Sequence, residues 1–129
     1  MRLLLDTHAF LWALTAPERL SRRARRAVED EDNDVLVSVA SAWEIAIKAG
    51  LGRLGPDGAE IERSLPDEIE RHAFQPLPVQ MRHALRVASL PKVHRDPFDR
   101  LLVAQALIED LSLVTADREL RSDGVKVVW

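Results

Sequence analysis

The stretch Leu3-Leu4-Leu5-Asp6-Thr7 near the amino terminus decides the fold. Three consecutive leucines are typical of a short strand that is buried on both faces, and the acid that follows ends the run. Phe10, Leu11 and Leu14 then recur at helical spacing, which predicts a helix over residues 7–14. A buried strand followed at once by an amphipathic helix is typical of an α/β protein.

The same alternation continues along the chain. The predicted strands are residues 3–5, 35–39, 74–77, 111–115 and 125–128, and the further predicted helices are residues 21–30, 41–49, 59–72, 79–90 and 97–109. Pro76 and Pro78 place the third strand at an edge of the sheet, and Pro66 predicts that the helix over 59–72 is broken into two pieces. The sequence therefore predicts one α/β domain over residues 1–129, with a mainly parallel sheet covered by helices on both faces.

Composition narrows the classes of function. The chain has no cysteine, which excludes disulfides, zinc–thiolate sites, Fe–S clusters and a thiol nucleophile, and which fits the reducing cytoplasm where we expect the protein to act. Asp6 interrupts the apolar start before a signal peptide can form, and no run approaches the ~18 apolar residues of a membrane helix. The net charge of −3 argues against binding nucleic acid by overall charge, and leaves room for local arginines around an acidic centre.

Acidic residues fall at corresponding places in four separate segments. Asp6 follows the first predicted strand, Asp117 follows the fourth, and Glu44 is predicted in the first turn of the helix after the second strand. Asp99 lies at the start of the helix over 97–109. Because ligands gather beyond the carboxyl ends of parallel strands, we expect these carboxylates to meet at one edge of the sheet.

The negative charge of a group of neighbouring carboxylates must be balanced. Two of them ~4 Å apart repel by about 4 kcal/mol at an effective dielectric of 20. The cluster must therefore take up protons or bind a cation, and oxygen ligands select a hard one such as Mg²⁺ or Mn²⁺. A carboxylate-held Mg²⁺ would lower the pKa of a bound water and neutralise charge on a phosphate group, which is the chemistry of a nuclease.

Each acid also has a structural explanation. Asp6 and Asp117 would suit the capping of the helices that follow them, and Ser41-Ala42-Trp43-Glu44 fits a capping box. Asp96 precedes Pro97, so we interpret Asp96 as the N-cap of its helix rather than as a ligand. Taken singly, the capping explanation is favoured for each acid. It weakens when the acids are considered together, because an unpaired buried charge is expensive.

Several neighbouring polar residues are candidates for supporting roles. Thr7 and Ser41 are placed to orient carboxylates or waters, although both also suit the start of a helix. Arg95, Arg100 and Arg118 flank the acids and are candidates for contacts with the phosphates of a nucleic acid, with surface exposure or ion pairing as the alternative.

The four acidic segments together resemble the PIN-domain ribonucleases, and in particular the VapC toxins of bacterial toxin–antitoxin pairs. The matching stretches, in the family's order and spacing, are Leu5-Asp6-Thr7-His8, Ser41-Ala42-Trp43-Glu44-Ile45, His94-Arg95-Asp96-Pro97-Phe98-Asp99-Arg100 and Thr115-Ala116-Asp117-Arg118. The resemblance implies a three-layer α/β/α fold, Mg²⁺- or Mn²⁺-dependent cleavage of RNA, a small VapB-type antitoxin as partner, and a homodimer.

By motif, the resemblance implies that the catalytic, metal-binding acids are Asp6, Glu44, Asp99 and Asp117. Asp99 is preferred to Asp96 for the third acidic place, because Asp96 has the better claim to be an N-cap. Many relatives have Asn or Ser where this chain has His8. His8 is therefore a candidate substrate contact, with helix packing as the alternative.

The remaining charged and aromatic residues are interpreted as structural. Lys48 follows Glu44 at i,i+4, so an ion pair competes with a catalytic role. The arginines over 22–26 are interpreted as a solvated helix face, with an RNA surface or an acidic antitoxin tail as alternatives. The aromatic residues are interpreted as core or interface residues rather than as a platform for stacking bases. They are Phe10, Trp12, Trp43, Phe74, Phe98 and Trp129.

Three other functions compete with a metal-dependent ribonuclease. A metal-free nuclease would use the scattered histidines His8, His72, His83 and His94 for acid–base catalysis. A phosphatase that forms an aspartyl phosphate would need a second acid at the position of His8. A binding module of the same fold would hold RNA or a protein without cleaving it, and the presence of all four acids argues against that.

Overall fold

In the described part of the chain, the fold is built on one sheet of five parallel strands. The computed structural model describes residues 1–91 and 96–129. The strands are β1 (Arg2–Leu5), β2 (Asp34–Ser38), β3 (Gln75–Leu77), β4 (Ser112–Val114) and β5 (Val127–Val128). They lie in the order β3-β2-β1-β4-β5, and every pairing is parallel. The predicted α/β class is confirmed, and β3 is the expected edge strand.

Within residues 1–91 and 96–129, six α-helices connect the strands. They are α1 (Thr7–Thr15), α2 (Arg22–Glu29), α3 (Val39–Gly50), α4 (Gly58–Arg71), α5 (Met81–Arg86) and α6 (Pro97–Glu109). Short 3₁₀ turns cover Pro17–Arg19, Val87–Ser89 and Arg118–Asp123. Over residues 1–91 and 96–129, none of the helices combines the length and the apolar character needed to cross a bilayer.

The two faces of the sheet carry separate hydrophobic cores. Leu3 and Leu5 of β1 point to one face, where they pack in a core with residues of α1, α2 and α4, including Phe10. Leu4 points to the opposite face, where it packs in a core built largely by α6, including Leu102. This alternation is what a strand with a two-residue side-chain period must show when both faces are covered. The result is three layers, α/β/α.

The strand order changes direction beside β1. The chain moves outward from β1 through β2 to β3 and then returns to place β4 on the other side of β1. Parallel sheets bind ligands in the crevice beyond the carboxyl ends of their strands at such a switch point. Asp6 follows β1 and Asp117 follows β4, so the two acids flank this crevice.

The start of α3 differs from the prediction. Val39 belongs to the helix rather than to the strand, because the Ser38 hydroxyl accepts a hydrogen bond from the Ala40 backbone N–H and caps the helix three residues earlier than expected. The capping box proposed for residues 41–44 is therefore wrong. Glu44 lies in the second turn of α3, not in its first turn.

Three other boundaries also differ from the sequence prediction. Pro66 lies inside a continuous α4, because Leu65 and Ile69 pack into the core on either side of it and offset the one backbone hydrogen bond that proline removes. The helix predicted over 79–90 begins only at Met81, where the His83 ring accepts from the Gln80 N–H, and becomes a 3₁₀ turn after Arg86. The last strand contains only two residues, Val127 and Val128.

Candidate active site

Asp6 is buried at the point where β1 passes into α1, with 7% of its surface exposed. Its Oδ1 accepts a hydrogen bond of 2.7 Å from the Ala9 N–H, so the capping explanation for Asp6 holds. Burial raises the pKa of Asp6, while hydrogen bonds from the Thr115 side chain and the Ala9 backbone oppose that rise. Glu44 raises the pKa further by repulsion. Capping and membership of an acidic cluster therefore coexist at this residue.

Glu44 is equally buried and faces the same site from α3. Its Oε2 lies 2.8 Å from the Lys48 Nζ, one turn further along the helix. The ion pair anticipated for Lys48 is confirmed. Lys48 therefore offsets part of the negative charge that α3 brings to the site.

Asp99 shows most clearly that the four acids share one electrostatic environment. Burial raises the pKa of the Asp99 carboxyl to about 7, and repulsion by the neighbouring carboxylates contributes to the rise. Those carboxylates are, in decreasing order of effect, Asp96, Asp6, Glu44 and Asp117. Asp6, Glu44 and Asp117 are therefore close enough to Asp99 for their charges to act on its carboxyl.

Asp96 performs the role predicted for it. Its Oδ1 accepts from the backbone N–H groups of Phe98, at 2.8 Å, and Asp99, at 3.3 Å, and caps α6. Asp96 is exposed, yet its charge has the largest electrostatic effect on Asp99. It therefore influences the site from the rim.

Asp117 follows β4 and caps the 3₁₀ turn over Arg118–Asp123, where its Oδ1 accepts from the Glu119 N–H at 3.0 Å. Its own N–H donates to the Thr115 hydroxyl. Thr115 is fully buried and also bonds to the Asp6 carboxyl. Thr115 therefore contacts both acids that flank the crevice. The sequence predicted it only as the end of a strand and as part of the motif that contains Asp117.

Thr7 and Ser41 lie next to each other in the site. The Thr7 Oγ1 donates to the Ser41 Oγ at 3.1 Å, and both residues are buried. Their contact joins the first turn of α1 to α3, although the two residues are 34 positions apart. Thr7 is a helix-start residue, as its alternative explanation required, whereas Ser41 lies inside α3.

The arginines proposed to contact RNA have different environments. Arg100 donates to the carbonyl oxygens of Pro91, at 2.8 Å, and Val87, at 3.0 Å, and so fastens α6 to the preceding segment. Arg118 is exposed beside Asp117. Arg95, together with His94, lies outside the described residues. The phosphate contacts of all three arginines stay predictions.

The other histidines do not resemble a catalytic pair. His8 is exposed on α1 and its ring packs against Trp12. The His72 ring stacks on Phe74, and His83 is fully buried beside Glu109. The three described histidines thus occupy three different parts of the fold.

A buried polar network behind the site was not foreseen from the sequence. The Ser38 hydroxyl that caps α3 donates to Gln105 Oε1 of α6 at 2.5 Å, and Gln105 Nε2 donates to the Pro78 carbonyl. Ser38 and Gln105 are almost completely inaccessible to solvent. Because α3 carries Glu44 and α6 carries Asp99, this contact positions two of the acid-bearing helices relative to each other. The glutamine among apolar residues in α6 was the only sequence signal.

The chemistry of this cluster fits a hard divalent cation. All four acids offer oxygen, the donor that Mg²⁺ and Mn²⁺ prefer, and burial together with repulsion by the neighbouring carboxylates raises the pKa of Asp99. Within residues 1–91 and 96–129, no three acidic or histidine side chains are already arranged to hold a metal ion. Asp6, Glu44, Asp99 and Asp117 would therefore have to close around the cation.

A cavity of about 580 Å³ lies elsewhere, near the amino ends of the strands. Leu20, Val35 and Phe74 line it, and none of the four acids does. The acidic cluster is therefore separate from this cavity.

The sequence of the chain is similar to a known family and to two known proteins. A family model described as "PIN domain" matches residues 3–123. The ribonuclease VapC22 of Mycobacterium tuberculosis is 32% identical over 125 residues, which cover 92% of this chain and 89% of VapC22. Ribonuclease VapC16 of the same organism is 42% identical over a shorter match of 59 residues, which cover 46% of this chain and 41% of VapC16.

Solved structures share the architecture. VapBC2 of Rickettsia felis, bound to a promoter DNA fragment, superimposes with a TM-score of 0.75 at 13% identity, and the match covers 98% of this chain and 97% of the other. FitAcB of Neisseria gonorrhoeae gives a TM-score of 0.65 at 21% identity, covering 97% and 95%. These similarities confirm the three-layer fold implied by the resemblance.

Proposed function

Because this chain belongs to the PIN domain family, we propose that it is a metal-dependent endoribonuclease, the toxin of a toxin–antitoxin pair. Its substrate would be the phosphodiester bond of RNA, and its cofactor Mg²⁺ or Mn²⁺. The match of the PIN domain model to residues 3–123 carries the proposal, and the placement of Asp6 after β1 and of Asp117 after β4 agrees with it. A site with unbalanced charge at a topological switch point is suited to a cation and a phosphate group.

The proposed roles follow from the contacts of each side chain. Asp6, Glu44, Asp99 and Asp117 would hold the cation, which would supply a polarised water and charge neutralisation at the phosphate. Thr115 orients the Asp6 carboxyl through its hydrogen bond. The Thr7–Ser41 contact fixes the beginning of α1 against α3. Arg100 and Arg118 remain candidates for contacts with RNA phosphates.

The proposal includes two protein partners. The resemblance to VapC toxins implies inhibition by a small VapB-type antitoxin. It also implies a homodimer, and α3 supports this with Val39, Trp43 and Ile47, which are 48%, 61% and 38% exposed along one helical face. Sedimentation analysis would show a dimer of the chain alone, and a monomer at all concentrations would refute that part.

The decisive experiment measures RNA cleavage with Mg²⁺, with Mn²⁺ and with EDTA. We expect cleavage with either metal and none with EDTA. Asp6→Asn should lower the cleavage rate at least about 100-fold, because ligands that place a catalytic metal lower the activation barrier by several kcal/mol. Asparagine keeps the acceptor for the Ala9 N–H, so the fold should survive.

Asp67→Asn, at an exposed acid of α4, is the matched control and should cleave at the wild-type rate. Wild-type cleavage by Asp6→Asn would refute the site assignment. Binding of RNA without cleavage, in any divalent metal, would instead favour the binding module over the nuclease.

A further inference from the structure

A row of planar side chains leads away from the acidic site along α1. His8 and Trp12 are one helical turn apart, and their ring centroids are separated by 5.8 Å. The Arg19 guanidinium lies 4.6 Å from the centroid of the Trp12 ring. Trp129 supports Trp12 from another side, with the centroids 5.9 Å apart. We call His8, Trp12 and Arg19 the α1 platform.

The α1 platform begins beside the proposed catalytic acids. His8 is two residues after Asp6 and close enough for its charge to lower the pKa of that carboxyl. His8 and Arg19 are exposed, so a ligand can reach both. Trp12 is partly buried against the core formed with Leu3 and Phe10, which holds the platform in place.

We propose that the α1 platform is a stacking site for a nucleobase of the RNA, next to the bond that is cut. This inference rests on the proposed function. Unpaired RNA bases stack on aromatic rings and on arginine guanidinium planes, and the platform offers both kinds of surface in one row. An RNA phosphate bound to the cation that Asp6 would help to hold would lie close to the first turn of α1, which contains His8.

A stacking site explains why the arginine and the rings occur together. A role limited to phosphate binding would need the charge of Arg19, but not its position over the face of Trp12. A role limited to packing would need Trp12, but not the exposed ring of His8. Recognition by stacking tolerates many sequences, so this site would position the RNA more than it would select a base.

The test compares an intact RNA oligonucleotide with copies that lack the base on either side of the cleaved bond. For the wild type, we expect kcat/KM to fall about tenfold on one abasic copy, mostly through KM. Arg19→Ala and His8→Ala should each lose activity on intact RNA but lose little more on that abasic copy. Arg63→Ala, at an exposed arginine of α4, is the matched control and should behave like the wild type.

A binding measurement in EDTA, where we expect no cleavage, gives an independent readout. In a Trp43→Phe background the remaining tryptophans are Trp12 and Trp129, and intact RNA should quench their fluorescence more strongly than the abasic copy. The inference is overturned if Arg19→Ala loses equal activity on intact and abasic RNA, or if the quenching does not depend on the base. Failure of the wild type to cleave intact RNA would instead refute the proposed function, and the quenching would still test the platform.

Discussion

Two groups of polar side chains are carried by α3, α6 and the segments next to them, and the two groups differ in how well their charges and hydrogen bonds are balanced. In the first, Ser38, Gln105 and His83 form hydrogen bonds with one another or with the backbone, and His83 Nε2 lies 2.8 Å from Glu109 Oε1. In the second, repulsion among the acids helps to raise the pKa of Asp99 to about 7.

The difference separates a structural group from the group for which we propose a function. The hydrogen bond from His83 lowers the pKa of Glu109, whereas burial and like charges raise that of Asp99. Satisfied polar groups rigidify a fold, and groups with unbalanced charge mark places where a ligand is to be bound. The hydrogen bond between Ser38 and Gln105 also joins α3 to α6. It therefore holds in position the two helices that carry the acids.

The largest effect on stability should come from the first group. Gln105→Met keeps the volume but removes the acceptor for Ser38 and the donor to Pro78, and should lower the free energy of unfolding by about 2–3 kcal/mol. Urea denaturation measures the change. Gln75→Met, at an exposed position of the edge strand, should change it by less than about 0.5 kcal/mol. Equal losses in the two variants would mean that the buried network contributes nothing.

At the acidic site, removing a charged group should raise the free energy of unfolding rather than lower it. Because the pKa of Asp99 is raised from 3.8 to about 7 in the folded chain, the folded state binds this proton more tightly than the unfolded state does. The metal-free protein should therefore be most stable below about pH 4 as far as this group is concerned, and should lose that stability as the pH rises through 7.

Asp99→Asn removes this dependence. In EDTA at pH 8 we expect the variant to be more stable than the wild type by about 1–2 kcal/mol, a figure reduced for solvent screening of a partly exposed carboxyl. At pH 4.5 the difference should nearly vanish. Thermal or urea denaturation at the two pH values provides the measurement, and a variant that is less stable at pH 8 would contradict the assigned repulsion.

The smallest effect concerns Lys48. Lys48→Met removes the cation nearest to Glu44 and should destabilise the metal-free protein by about 0.5–1 kcal/mol. Arg25→Met is a matched control, because Arg25 pairs with Glu29 at the same i,i+4 spacing and the same 2.8 Å distance on an exposed surface. The control should lose less than about 0.5 kcal/mol. Equal losses would indicate that Lys48 does not compensate the acidic cluster.

Local signals in the sequence were sufficient for much of this fold. The leucines before Asp6 predicted a buried strand, and the Asp96-Pro97 pair predicted the start of α6, because caps and buried runs depend on adjacent residues. The expectation that four acids approach one another followed from the rule for parallel sheets. The choice of Asp99 over Asp96 followed from the adjacent Pro97, which favours Asp96 as the N-cap of α6.

The misses came from choices between similar local signals and from distant contacts. Ser38 and Ser41 are each followed by residues that suit a helix, and the sequence did not reveal that Ser38, rather than Ser41, would be the cap. Ser38 also bonds to Gln105, which lies 67 residues away, and no local pattern predicts such a partner. The continuity of α4 through Pro66 likewise depends on core contacts that only the folded chain makes.

The double role of Asp6 has a consequence for how this protein could lose its activity by mutation. Most replacements would remove both the charge and the acceptor for the Ala9 N–H, and so would weaken α1 as well as the site. Asparagine and serine, with threonine as a weaker substitute, keep a cap without the carboxylate. If the chain is harmful to its own cell, substitutions of Asp6 that remove this harm should give a few folded, inactive proteins and many that are degraded. The folded, inactive variants would still bind any partner that recognises the surface of the protein.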